Sequence, residues 1–168
     1  MLNHLQNFSK SSQGWNIGQT KEICCPSSGE PRPERPVPIT AEIVVGKTDT
    51  IDIKRLTRDG RPLQGKGKFI LNSFMESNFA QDKKIGISAS IFFEMPCRLV
   101  PKDSVSLAEL IALLSRIADL PVRQDIPVTG IIDQEGKIGA SDDPDEKIEF
   151  FFDACQTGGL PGLQGLMI

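Results

Sequence analysis

The chain has 168 residues, 39% of them apolar, with 19 basic against 22 acidic side chains and a net charge of -3. A chain of this length forms one domain and buries roughly two-thirds of its unfolded surface, so a core needs neither disulfide nor metal. The slight acidic excess leaves no basic footprint for nucleic acid or an anionic membrane. No apolar run approaches the ~20 residues of a membrane span, and the polar stretch Met1 to Lys21 lacks the apolar region of a secretory signal. The expected compartment is therefore the cytoplasm.

In chain order, residues 1–37 read as a mobile, Pro-rich lead-in, because the run 26–38 contains five prolines that deny amide donors to any ladder. The domain proper is expected over 38–168. Residues 39–46 and 49–56 alternate apolar and polar side chains about a short Gly-containing turn, which predicts a hairpin of two half-buried strands. Phe69, Ile70, Phe74 and Met75 share a stripe at helical spacing, predicting a helix over 66–79, and 87–94 returns to a strand pattern. The best helical face is Leu107, Leu110, Ile111, Leu114 and Ala118, ended by Pro121. A strand over 126–134, a helix over Asp145–Cys155 and the opening of a strand over 164–168 complete the pattern. The fold class is α/β in the mixed, α+β sense, with helices packed on a mixed sheet.

Four cysteines, Cys24, Cys25, Cys97 and Cys155, show no metal-ligand or redox spacing and read as ordinary reduced thiols. Cys155 reads as a small buried hydrophobe at the end of its helix. The one histidine is His4, in the polar N-terminal stretch, so any triad, Cys-His pair or His-rich metal site would have to recruit it. Hydrolytic chemistry needs another base. There is no phosphate-binding GxxxxGK[ST] loop.

Two helix starts carry polar groups that suit chemistry. At the first, Ser106 and Glu109 have the spacing of a reciprocal capping box, and Asp103 stands one turn earlier. The other reading is acyl transfer by a serine placed where free backbone amides and the positive helix end stabilise an oxyanion. At the second, Asp143-Pro144-Asp145-Glu146 predicts a helix beginning at 144, with Lys147 in its first turn and Phe150 and Phe151 on the same side. Dipole and desolvation both disfavour an ammonium there, the condition for a general base; the other reading is a solvated lysine bonded to neighbouring acids.

The run DSVSLAELIALLSRIADLPVRQDIPVTGIIDQEGKI, with DEKIEFFFDAC and GLPGLQGLMI after it, resembles the proteolytic domain of the Lon family. The likeness is to its bacterial Lon-related branch and covers residues 38–168. It implies a single Lon-type proteolytic domain, a serine endopeptidase that uses a serine-lysine dyad within an ATP-dependent machine. By position the nucleophile falls on Ser104 and the general base on Lys147, with Thr129 of the VTG motif supporting the lysine. No cofactor is expected in this chain, ATP being used by an ATPase portion outside it. The implied partners are protein or peptide substrates, an AAA+ ATPase portion of the same or another chain, and other copies in a homo-oligomer; no nucleic acid and no membrane are expected.

The sequence departs from the family pattern at Pro101-Lys102, where the family has Asp-Gly, at Asp142-Asp143, where it has two glycines, and at Phe150, where it has glycine. Carboxylates at 142 and 143 are expected to favour a charged Lys147. The C-terminal part of the usual domain is expected to be missing after Ile168. Two other functions stay open: a catalytically inactive Lon-like domain with a structural or protein-binding role, and a nucleic-acid-binding α/β module, which the acidic balance opposes.

Overall fold

The computed structural model describes residues 14–25, 36–46, 49–82, 85–96, 100, 105–158 and 164–168. Among them the elements run β1 (Trp15–Ile17), β2 (Gln19–Glu22), β3 (Val37–Val45), β4 (Ile51–Thr57), α1 (Gly67–Phe79), β5 (Ile87–Phe93), α2 (Ser106–Ala118), β6 (Pro121–Arg123), β7 (Ile131–Ile132), β8 (Ile138–Gly139) and α3 (Pro144–Gly158). This is the expected mixed α+β class.

The central sheet has four strands in the order β2-β3-β5-β4. Period-2 alternation builds its inner face, since Ile39 and Ala41 of β3, Ile51 and Ile53 of β4, and Ala89, Ile91 and Phe93 of β5 are all buried. The opposite face is open, with Glu42 exposed and Val44 of β3 68% exposed. Helices α1 and α2 lie on the inner face, α1 over β4 and α2 across β2 and β3. Each large apolar side chain taken from water here contributes ~1.5–3 kcal/mol. In α2 the buried stripe is Leu107, Leu110 and Leu113 with Ala108 and Ala112. Ile111 and Leu114 are partly buried against the core and Ala118 is exposed.

Four expectations need correction. Residues 39–46 and 49–56 do not form a hairpin: β5 lies between them, antiparallel to β3 and parallel to β4. Val45 and Ile51 both sit opposite Ile87, so the short link between them spans two strand spacings rather than one. The parallel β4–β5 pair needs a crossover, and α1 supplies it. In α1 the buried residues are Gly67, Leu71 and Met75, while Phe69, assigned to the apolar stripe, is 74% exposed.

The third correction concerns the lead-in. Gly14–Cys25 is not mobile chain: β1 pairs with β6, β2 pairs with β3 from Gln19↔Thr40 to Glu22↔Val37, and Ile23 and Cys24 enter the core. The prolines that suggested a linker begin only at Pro26, and the apolar Ile23-Cys24-Cys25 before them has a sheet edge to cover. Residues 1–13 and 26–35 lie outside the described residues. The strand expected over 126–134 is also shorter, reduced to β7 and an isolated bridge between Val128 and Met167, because Gly130 breaks it at φ 144°.

Candidate active site

Lys147 owes its position to the start of α3. Asp143 precedes the helix in the left-handed region at φ 51°, and its carbonyl accepts the Lys147 N–H at 3.2 Å. Asp tolerates that conformation better than most residues. The lysine stands in the first helical turn, and its side chain runs inward to 2% exposure. There the Nζ donates to Thr129 Oγ1 at 2.6 Å and to Glu22 Oε1 at 3.0 Å.

Thr129 is held from both sides by backbone. Val128 N–H donates to the Lys21 carbonyl at the edge of the sheet, and Thr129 N–H donates to the Met167 carbonyl, each at 2.8 Å. Fully buried, the threonine passes its own hydroxyl proton to Ser141 Oγ at 3.0 Å, which leaves its oxygen to accept from the lysine. Gly130 follows, and its carbonyl takes the Leu107 N–H of α2. A Cβ at Gly130 would stand 3.0 Å from Leu107 Cδ2 and 3.2 Å from the Gly139 carbonyl. The VTG run therefore docks the first turn of α2 against β7 and β8 while presenting Thr129 to Lys147.

Glu22 completes the cluster from the end of β2. It is fully buried, and its Oε2 has no hydrogen-bond partner. Burial pushes its carboxyl upward, against the downward pull of Lys147 and Thr129. Burial likewise drives the neighbouring Cys24 thiol well above its ordinary value, helped by the charge of Glu22, so this cysteine stays protonated. The acid on the lysine is thus not Asp142 or Asp143, as the sequence suggested; both of those are exposed.

The first helix start also differs from expectation. Val105 precedes α2 without any side-chain cap. Ser106 instead accepts the Ile132 N–H at 3.0 Å, and Glu109 binds Arg55 Nε at 2.6 Å in a second buried ion pair, so the capping box does not form. Ser104 lies outside the described residues, as do Pro101, Lys102, Asp103, Cys97 and His4. Beside Ser106, Lys66, Ile70, Ile131 and Lys137 line a groove of about 430 Å³. Among the described residues no group of His, Cys, Asp or Glu is arranged to hold a metal ion.

Of the residues singled out from sequence, the structure brings Lys147 and Thr129 into contact. Glu22 and Ser141 were not singled out. Glu22 was hidden by its assignment to the lead-in, although a buried lysine demands an acid and the strand-like QTKEICC run offered one. Ser141 gave no signal, being one hydroxyl in an irregular segment.

Known proteins agree with the residues that carry the resemblance. A "Putative Lon protease homolog" of Escherichia coli (strain K12) is 37% identical over 159 residues, which are 94% of this chain and 27% of that protein. A protein of the same description from Haemophilus influenzae (strain ATCC 51907 / DSM 11121 / KW20 / Rd) is 35% identical over 133 residues, 79% of this chain and 22% of the relative. The chain thus spans about a quarter of the length of these curated relatives. No protein-family model matches it.

Proposed function

Since the chain is Lon-related along most of its length, we propose that it is the serine endopeptidase domain of an ATP-dependent Lon-like protease. The supporting observation is the buried Lys147 amine at a helix start, bonded to Thr129 in a site with no histidine among the described residues. In this reading Ser104, two residues before α2, attacks the peptide carbonyl. Lys147 takes the serine proton as the bond to carbon forms and returns it to the leaving amine. Thr129, its own proton committed to Ser141, holds the lysine by accepting from it. Backbone amides at the start of α2 hold the oxyanion, and the groove beside Ser106 takes a substrate side chain. ATP is consumed by an ATPase portion outside the chain, within a homo-oligomer, in the cytoplasm.

Incubation with an unfolded protein and peptide mapping tests this. New termini should appear with the native chain and disappear in both Ser104→Ala and Lys147→Met. Cleavage that survives either substitution contradicts the dyad.

One observation favours a second reading, a Lon-like domain without catalysis. Glu22 gives Lys147 a carboxyl partner at 3.0 Å, and a paired ammonium is no base. Absence of cleavage by the native chain, with the fold intact, selects this reading.

A further inference from the structure

Glu22 takes no part in the dyad chemistry, yet it touches the dyad's base. Three features of its placement bear on what it does. It is fully buried at the end of β2 while Lys147 comes from α3, far away in sequence, so the contact is built by the tertiary fold and not by local chain geometry. Oε2 has no partner, Lys147 donates to Oε1, and Thr129 also pulls on the carboxyl. Thr129 spends its proton on Ser141 and offers Lys147 only an acceptor, so both oxygens on the amine receive its N–H groups.

Such surroundings suit an ammonium, whereas burial at a helix start, taken alone, suits a free amine. Among the described residues, the other charged groups do not supply a competing carboxylate. Glu109 of α2 weakly repels the Glu22 charge but is itself bonded to Arg55 of β4. Lys21 projects to the other side of β2 by strand alternation and acts on Asp125. Asp142, Asp143 and Asp145 at the start of α3 are exposed, Glu146 is half-buried, and Cys24 stays a neutral thiol.

We propose that Glu22 is a positioning residue for Lys147, holding the buried amine in its ammonium form and so raising the pH at which this lysine becomes a base. The proposal rests on Lys147 being the general base of the reading above. The proton released as Lys147 becomes an amine passes to solvent while Glu22 remains a carboxylate, and no other reactant is needed. Loss of the carboxylate leaves burial and the helix end as the dominant influences, and both favour the amine.

The test follows Lys147 itself. In the full chain carrying 13C-labelled lysine, the Cε signal of Lys147, assigned by its loss in Lys147→Met, is titrated in the native protein and in Glu22→Gln. The midpoint should fall by at least one pH unit in Glu22→Gln, a tenfold loss of proton affinity; an unchanged or higher midpoint overturns the proposal. In the native chain with labelled glutamate, the Glu22 Cδ signal must show a step at the Lys147 midpoint, which requires no variant to fold; a Glu22 signal indifferent to that midpoint overturns the proposal equally.

Fluorophosphonate labelling against pH separates the two readings. If labelling occurs, its rising limb should move down with the Lys147 midpoint. A lower midpoint with no labelling in either chain rejects the peptidase while Glu22 keeps its role. A limb and midpoint both unmoved by the substitution reject the role of Glu22 alone.

Discussion

At Lys147 three influences meet on one amine. The helix N-terminus disfavours a cation there by ~0.3–1 kcal/mol, and burial at 2% exposure adds to that penalty. A unit charge pair at about 4 Å is worth about 4 kcal/mol at an effective dielectric near 20, so the contact outweighs the dipole where Glu22, whose carboxyl burial pushes up to about 8, is ionised. Thr129 serves the amine whichever proton state it adopts, because its oxygen only accepts. Thr129→Val removes that acceptor and the donor to Ser141 at nearly constant volume. It should cost about 1–3 kcal/mol in urea denaturation and slow serine labelling by roughly tenfold or more. Lys147→Met leaves Glu22 buried without its partner and should destabilise the chain by about 3–5 kcal/mol in the same measurement.

At the scale of elements, the site hangs on how the 127–132 segment meets the start of α2. Gly130→Ala places a side chain at φ 144° against Leu107 and the Gly139 carbonyl, so a loss of more than ~1 kcal/mol is expected. Ser106→Ala strands the Ile132 N–H and should cost about 1–3 kcal/mol, read from the urea midpoint.

The same elements explain what was legible in the sequence. The helices over Gly67–Phe79, Ser106–Ala118 and Pro144–Gly158 were marked by apolar spacing and by the Asp-Pro start, which are local signals. The pairing of β3 and β4 with β5 was not, since alternation reveals a strand's face but not its neighbour. Glu109 was misread for a related reason. Arg55 falls on the inward parity of β4, beside Ile51 and Ile53, and Glu109 has a capping spacing, yet their real partners are each other, 54 positions apart. Lys147 and Thr129 were legible through the family motif. Glu22 was not, because its importance arises only when β2 docks on β3.

For the molecule as a whole, buried acids make stability depend on pH. Burial, opposed by Arg55, pushes the Glu109 carboxyl up from its ordinary 4.5 to about 7. The folded state therefore binds the proton more tightly than the unfolded chain. The stabilisation from this group is fully present below pH 4.5 and is lost as pH rises through 7. Urea midpoints should decline across that window, and Glu109→Gln should flatten the decline; an identical slope in the variant contradicts the assignment.

The central claim is that Ser104 and Lys147 act as one nucleophilic unit. Its most direct measurement is the intact mass and peptide map of the chain after reaction with a fluorophosphonate. A single adduct on Ser104, absent in Ser104→Ala and absent or strongly slowed in Lys147→Met, is the expected result. An adduct on Ser106 or another serine, or one on Ser104 that forms at the same rate without Lys147, would contradict the account.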